Sequence, residues 1–517
     1  MALFKLGERS RGTGIPLPTP PWYRRRLTII SAVVLVVAAV VVVIWQPWAS
    51  QCGAGLTQIG SPYTCVGLDL DSGPMQAGDP LAPLEQRIAA QNAQLTGDFA
   101  TVVVLDNMTP NLKTDSISPD EIRHRVEGAI TAAWRANTQS VAYGNSPPIK
   151  LLLASFGSSA GQEAAAVQSI VAQRDSQHIV AVTGFGQSLV QTRLAAKQLS
   201  DAGIVSVGAT VTADDMNTDP SGARIPDFFR VAATNSDEEQ VTVNYIAAHG
   251  YHKVLLVKDV NTQDSYDTSI AADFAAAYQQ RFLAPVAYNE SYLSPTTPVT
   301  SDSRTAYLTN QFARMHSDIC ADHPDLIYFA GRGVDLGSFL TALSQGGACG
   351  LGPIDVLTAD DASSIVDQPL PPFPGLSVRV FYTTQAAVNE WANQPSTSDA
   401  AQDYAAFAKA YQDNGFEAAD LQEESVFVSY DAVLAAAIAT RLDSPLATKD
   451  SSTVASAFLG LKCTHYVPGA SGDIAFDANG NPIDKAIPML RIMPDGSTAL
   501  QQISWPTGVP FNPSSTC

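Results

Sequence analysis

The sequence predicts an α/β protein of two doubly wound, Rossmann-like lobes, preceded by one transmembrane helix. Three observations predict it. The 517 residues exceed the roughly 250–300 at which a single hydrophobic core stops growing, so two lobes are expected. Continuous apolar runs alternate with Ala-rich amphipathic segments, the pattern of buried parallel strands joined by crossover helices. Ahead of both lies a 19-residue uncharged stretch, Leu27–Trp45, reading LTIISAVVLVVAAVVVVIW.

At 1.5 Å per residue that stretch spans about 28 Å, close to the hydrocarbon thickness of a bilayer. Arg24, Arg25 and Arg26 precede it, and Trp45 and Trp48 mark its far end. The positive-inside bias places residues 1–26 in the cytoplasm as a short Pro- and Gly-rich tail, with the remainder outside, in a single-pass topology at the cell membrane. A cleaved signal peptide is the rival, but its apolar region usually runs about 7–15 residues. Gln51 stands before Cys52 where a lipoprotein cleavage site carries a small residue.

The formal charge is −20, from 30 Lys and Arg against 50 Asp and Glu. Six of the basic residues and Glu8 precede the apolar run, which leaves 24 basic against 49 acidic residues in the rest. Nucleic acid binding rests on Lys and Arg neutralising phosphates, so so acidic a body excludes it as a partner. All six cysteines (Cys52, Cys65, Cys320, Cys349, Cys463, Cys517) fall on the outer, oxidising side. Of 15 formal pairings, sequence proximity favours Cys52–Cys65, Cys320–Cys349 and Cys463–Cys517. Cys320 and Cys349 are both expected just past helix ends on one edge of the second sheet.

Residues 46–97 read as a juxtamembrane segment with a helix over Pro83–Leu95, Pro83 suiting a first helical turn. The first lobe (98–232 plus 421–471) follows. Its strands are Thr101–Asp106, Ile149–Phe156, His178–Thr183 and Ile204–Ala209. Helices over Pro119–Ala136, Gly161–Gln173 and one ending near Ala202 lie between them. The second lobe (233–420) opens with a helix capped by Asn235 or Ser236 and ended by Gly250, a residue suited to left-handed termination. Strands Lys253–Lys258, Val286–Tyr292, Leu326–Ala330 and Ile354–Thr358 alternate there with helices Thr268–Phe282, one before Cys320, and Val334–Gly346. A long helix Glu423–Arg441 and the segment Thr453–Lys462 come next. Residues 472–517 read as a terminal hairpin, Gly472–Phe476 with Leu490–Met493, and a tail.

Five stretches in order resemble one family. They are HIVAVTGFGQS (His178–Ser188), AGIVSVGATVTADDM (Ala202–Met216), FFRVAATNSDEEQ (Phe228–Gln240), YHKVLLVKDVNTQDSYDTSIAADF (Tyr251–Phe274) and GDIAFDANGNP (Gly472–Pro482). Together they resemble the type I periplasmic-binding-protein family, in its leucine/isoleucine/valine-binding branch of ABC-transporter receptors, over about residues 99–495. The resemblance implies two lobes joined by a hinge that close on a small-molecule ligand, with no cofactor and no catalysis. It implies an extracytoplasmic solute-binding receptor for an amino acid or similar small polar metabolite, partnered by an ABC permease. A membrane-anchored sensing module that regulates a signalling partner is the alternative.

In open α/β sheets ligands bind outside the carboxyl ends of strands, so the strand-tip loops are the expected site. Gln187 and Ser188 open a helix whose N–H groups and dipole favour an anion. The resemblance implies that they, with Ala209 and Thr210, hold a ligand carboxylate. It implies that Tyr266 lines the cleft and that Asp360 pairs with an ammonium group. Arg332 departs from the family, and is expected either to bind a second acid or to pair with Asp335 or Asp360 and block an amino acid. A gap already plugged by the protein's own side chains would contradict a receptor.

Other motifs carry blander readings. Gly157–Gly161 fits G-x-S-x-G around Ser159, yet reads best as a small-residue turn starting a helix. Gly184-Phe185-Gly186 lacks the third glycine of a dinucleotide fingerprint. Asp477, Asn479, Asn481 and Asp484 belong to a hairpin turn rather than an EF-hand, and no metal site is expected.

Overall fold

The computed structural model describes residues 52–516 apart from 61–62, 112–114, 116, 158–161, 389, 393, 397 and 443–450. The expected cytoplasmic tail, the transmembrane helix over Leu27–Trp45, Ser159 and Cys517 lie outside the described residues.

In the first lobe β1 (Leu56–Gly60) and β2 (Tyr63–Leu68) lead to α1 (Ala82–Asn92), β3 (Ala100–Asp106) and α2 (Pro119–Thr138). Then come β4 (Ile149–Ser155), α3 (Glu163–Gln173), β5 (Ile179–Gly184), α4 (Val190–Asp201), β6 (Val205–Gly208) and β7 (Phe228–Arg230). Their strand order is β1-β2-β4-β3-β5-β6-β7, parallel from β4 to β7. Every residue of β3 (ATVVVLD) is buried, as a strand covered by helices on both faces requires. Ser118 caps α2 by accepting from the Glu121 N–H, and Pro119 sits where its missing N–H costs nothing.

The second lobe runs α5 (Asn235–His249), β8 (Val254–Asp259), α6 (Ser265–Phe282), β9 (Tyr288–Tyr292), α7 (Ser301–Asp322), β10 (Leu326–Ala330), α8 (Gly333–Gly346), β11 (Ile354–Thr358) and β12 (Val378–Thr383). Thr234, rather than Asn235 or Ser236, caps α5, and Gly250 ends it in the left-handed region at φ 71°. After α9 (Asp399–Asp413), α10 (Ser425–Leu442), α11 (Ser451–Phe458), β13 (Val467–Gly469) and β14 (Gly472–Ile474), the chain returns as β15 (Ile487–Ile492) and β16 (Thr498–Ser504). The second sheet is ordered β16-β15-β12-β11-β10-β8-β9, with β15 antiparallel to both of its neighbours, β12 and β16, and the other strands parallel.

Helix α10 is mostly apolar and almost wholly buried, the mark of a core helix, with Asp431 and Arg441 as its charged residues. It packs so closely on α2 that a Cβ on Gly128 would lie 2.2 Å from the Val426 carbonyl oxygen.

Three expectations are corrected. Residues 46–97 are not simply a segment outside the lobes, because β1 and β2 pair into the first sheet through β2–β4 hydrogen bonding. Helix α9, inside the range assigned to the second lobe, puts Phe407 and Tyr411 into the first lobe's core beside Tyr430. Gly472–Phe476 and Leu490–Met493 do not form a hairpin with each other: β14 pairs with β13, and β15 pairs with β12. The turn at Asn479-Gly480 is present. The Asp477 carboxylate accepts the N–H groups of Asn479 and Asn481, both at 2.8 Å, and Gly480 takes φ 82°.

Among the described residues up to β16, the chain therefore crosses between lobes three times: near Ala233, between Thr383 and Ala387, and near Ile483–Ile487. Ala233, Val241 and Ile487 form a small apolar cluster there. The Ala233 N–H donates to the Gln385 side-chain oxygen at 2.7 Å, and the Thr384 N–H to the Pro488 carbonyl at 3.0 Å. Disulfides join Cys52 to Cys65 and Cys320 to Cys349, with Cα separations of 5.5 and 5.9 Å that lie in the usual range. Cys320 lies within the last turn of α7 rather than beyond it.

Candidate functional site

The carboxyl ends of β3, β5 and β6 in one lobe face those of β10 and β11 in the other across a narrow cleft. From the first lobe come Glu121 and Arg125 near the start of α2, Gly186 and Gln187 after β5, Thr210 and Thr212 after β6, and Glu423–Ser425 at the start of α10. From the second come Tyr266, Arg332, Asp360, Asp361, Ser363 and Ser364.

The loop after β5 approaches the cleft because Gly184, Phe185 and Gly186 all adopt positive φ. A Cβ on Gly186 would meet the Asp106 carboxylate at 2.9 Å, so only glycine lets the chain pass there. The Thr210 hydroxyl donates to the Gly186 carbonyl and ties the β5 and β6 loops together. Arg125 donates to both oxygens of Asp106, at 2.9 and 3.2 Å, and to Glu121.

On the opposite wall Arg332 is the organising side chain. Its Nε and Nη2 donate to the two carboxylate oxygens of Asp264, at 2.9 and 2.7 Å, a bidentate fork. Its Nη1 donates to Asp361 at 2.8 Å, and its guanidinium carbon sits 4.5 Å from the centre of the Tyr266 ring. Asp264 also caps α6, and Asp361 also accepts the Gly333 N–H at 2.7 Å. The network touches the other lobe: Arg332 Nη2 donates to the Ser188 carbonyl at 3.4 Å, and the Tyr266 N–H donates to the same oxygen at 3.1 Å.

Sequence reasoning placed seven residues here, and five line the cleft: Gln187, Thr210, Tyr266, Arg332 and Asp360. Ser188 and Ala209 do not. The Ser188 hydroxyl is buried and accepts the N–H groups of Thr212 and Ala213, at 2.9 and 3.2 Å, which makes it a turn-forming residue. Helix α4 begins only at Val190, and a bridge between Leu189 and Asp264 covers its entry. Ala209 is buried, its N–H donating to the Gly184 carbonyl at 3.0 Å. Arg332 pairs with neither Asp335 nor Asp360. Asp335 is held by Arg304, at 2.7 and 2.8 Å, and Asp264 and Asp361 lie closer to the guanidinium.

The residues missed were Glu121, Arg125, Asp361 and the Glu423-Glu424 pair. A signal existed for some of them. Glu121 and Arg125 stand four apart in the first turns of a helix leaving a strand tip, and two consecutive acids precede a mostly apolar helix.

Electrostatics at the hinge end is lopsided. Asp360 is 5% exposed, and its Oδ1 has no hydrogen-bond partner. Burial, reinforced by neighbouring Asp361, pushes its carboxyl up to about 7. Glu424 and Glu238 are both raised well above the usual carboxylate range, by burial and then by Asp360. Glu424 accepts from the Thr384 hydroxyl and from the Gln385 N–H at 2.6 Å, and Glu238 accepts from Gln385 Nε2 at 2.6 Å, so the pair grips a crossover strand. Burial also pushes Glu121 up to about 7, against the opposing pull of Arg125. Nearby, His124, Glu127 and Asp420 are close enough to share a metal ion, but Arg123 already donates to Glu127 at 2.8 Å and to Asp420 at 3.0 Å.

The space enclosed between the walls is about 40 Å³, room for a water molecule and well short of the roughly 300–1,000 Å³ of a small-molecule pocket. The two sheets are separate, and the gap between them is narrowed rather than plugged, because open space remains on both sides of Arg332. Beyond it lies a second chamber of about 240 Å³, which shares Gln187 and Arg332 as walls and adds Asn261, Gln263 and Asp264. Arg332 and Gln187 thus stand between the two spaces.

No protein-family model and no curated protein matches this chain. Solved structures do. An ABC transporter substrate-binding protein from Desulfitobacterium hafniense, in complex with Leu, is 18% identical, with a TM-score of 0.57 over 78% of this chain and 100% of that one. The leucine binding protein LivK of Thermotoga maritima is 16% identical, with a TM-score of 0.56 over 78% and 98%. A solute binding protein of an ABC transporter from R. palustris, in complex with 4-hydroxybenzoate, is 14% identical, with a TM-score of 0.57 over 79% and 97%. The fold is that of type I periplasmic binding proteins.

Proposed function

We propose that this chain is an extracytoplasmic solute-binding receptor for an amino acid or a similar small polar metabolite, acting with an ABC importer and performing no chemistry of its own. The observation that carries this is the convergence of strand-tip loops from two separate sheets, joined by three crossings among the described residues, on one cleft. The neighbours in complex with Leu and with 4-hydroxybenzoate support a small organic guest. Binding requires Arg332 to move, because the enclosed space that it lines is too small for such a guest. The uncharged run Leu27–Trp45 anchors the receptor, with the lobes outside.

Calorimetry of the full chain against the common amino acids tests the ligand class, and flat traces for every one would remove it. Removing residues 1–50 should release the protein from membranes. Retention without them would contradict the anchor.

One observation favours a second reading, a ligand-sensing module that regulates a membrane partner. The Arg332 network touches both lobes, so a guest that displaces it changes a contact between them. Deleting residues 1–26 with no effect on any ligand-dependent signal would count against it.

A further inference from the structure

We infer that the guest of this cleft is a small aliphatic base of net positive charge: a basic amino acid, a diamine or a guanidine. The inference rests on the receptor reading and names the substrate class of the same site. Five carboxyl groups line the inner chamber, from Glu121, Asp360, Asp361, Glu423 and Glu424, against two guanidinium groups, and of these Glu121, Asp361, Glu423 and Glu424 accept from neighbouring side chains or N–H groups. Both guanidinium groups are already engaged, Arg125 by Asp106 and Glu121, and Arg332 by Asp264 and Asp361. At the hinge end Asp360 is left with an unpartnered oxygen at 5% exposure, beside the buried carboxyls of Glu238 and Glu424.

The cage around Arg332 shows what the site recognises. A guanidinium is held by one bidentate carboxylate, by a second carboxylate and by the face of a tyrosine ring. Carboxylate forks and aromatic faces both select cations. For a guest to enter, this side chain must swing away from its partners, because the 40 Å³ space that it lines is too small for one. The swing strips Asp264 and Asp361 of their cation at the moment the guest arrives. A neutral or anionic guest would leave them buried and unpaired, whereas a cationic one replaces what was lost.

The groups facing Asp360 are Asp361 beside it, Glu238 and Glu239 on α5, Tyr266 on α6, Tyr328 on β10, Arg332 before α8 and Glu424 before α10. All except Arg332 are acids. A carboxyl raised to about 7 is partly protonated at neutral pH, and a bound ammonium or guanidinium restores its anion. Binding should therefore release a proton from the Asp360 carboxyl to the buffer.

The test is calorimetric titration of the full chain at pH 7 with L-arginine, agmatine, putrescine, L-leucine and 4-hydroxybenzoate, each in two buffers of different ionisation enthalpy. At least one base should bind ten-fold or more tighter than leucine and hydroxybenzoate, with net proton release. Asp360→Asn should weaken that base at least ten-fold and abolish the release. Tighter binding of leucine or hydroxybenzoate than of every base overturns the inference and leaves the receptor reading standing. Binding of a base with no proton release, or with release unchanged in Asp360→Asn, overturns the role of the hinge-end acids. No binding by any of the five overturns the inference and counts against the receptor reading as well.

Discussion

Arg332→Ala is the most informative single change. It removes three side-chain hydrogen bonds to carboxylates, at 2.7, 2.8 and 2.9 Å, and a cation–π contact at 4.5 Å. Deleting one partner of a buried ion pair costs about 3–5 kcal/mol, because the other charge stays buried and unpaired. Two features pull this case to the low end. Asp264 keeps the N–H groups of Tyr266 and Asp267, at 3.0 and 3.4 Å, and Asp361 keeps that of Gly333 at 2.7 Å. The expected loss is therefore about 3 kcal/mol. It falls on the second lobe, since only the 3.4 Å contact to the Ser188 carbonyl reaches the first. At about 2–4 °C per kcal/mol for a unit of this size, the melting transition of that lobe should fall by about 6–12 °C. Scanning calorimetry of the full chain measures it. A fall under about 2 °C would refute the idea that the guanidinium organises this wall.

Four further outcomes are expected. Gly128→Val should destabilise the first lobe by more than about 3 kcal/mol or prevent folding, because the Val426 carbonyl leaves no space for a Cβ, and denaturant midpoints will report it. Cys320→Ser with Cys349→Ser opens a loop of 29 residues and should cost about 3–4 kcal/mol in the same assay. Ser188→Ala leaves the N–H groups of Thr212 and Ala213 without their acceptor and should cost about 1–3 kcal/mol, with a correspondingly lower melting temperature. Stability without added ligand should decline as pH rises from about 4 to 7. Folded Asp360, raised to about 7, binds a proton there that the unfolded chain has already released, so deprotonation favours unfolding. A thermal-shift series that rises across the same window would show the acid cluster to be neutralised by other means.

Much of the fold is legible in the sequence because parallel strands buried on both faces must be continuous apolar runs. LIYFA and IDVLT become β10 and β11 with the expected limits, and TVVVLD forms all but the first residue of β3. What escaped was short, two-sided or non-local. β7 has three residues, too few for any period to emerge. β12 (VRVFYT) and α9, with Phe407, Ala410 and Tyr411 at helical spacing, did carry a signal. The destination of α9 did not, because nothing local says that a helix after the second lobe packs back on the first. The same holds for β15, whose partner β12 lies more than a hundred residues upstream.

At the site, positions after strand tips were legible from the fold's own logic for Gln187 and Thr210, whereas Tyr266 and Asp360 came from the family resemblance and Arg332 from a departure from it. Ser188 misled because a hydroxyl at a helix entry serves equally well as a turn former, and only the nearby Thr212 and Ala213 N–H groups decide between the two. Arg332 was noticed, but its partners were not, because choosing between Asp335 and Asp361 depends on angstrom-scale placement of the loops after β10 and β11.

The central claim is that both lobes grip one guest at their strand tips. Hydrogen exchange of the full chain, with and without saturating L-arginine, tests it most directly. Amides in 186–190 and 210–212 of one lobe should slow together with those in 264–266 and 360–364 of the other. Protection confined to a single lobe, or to none of these loops while binding is saturated, would contradict it.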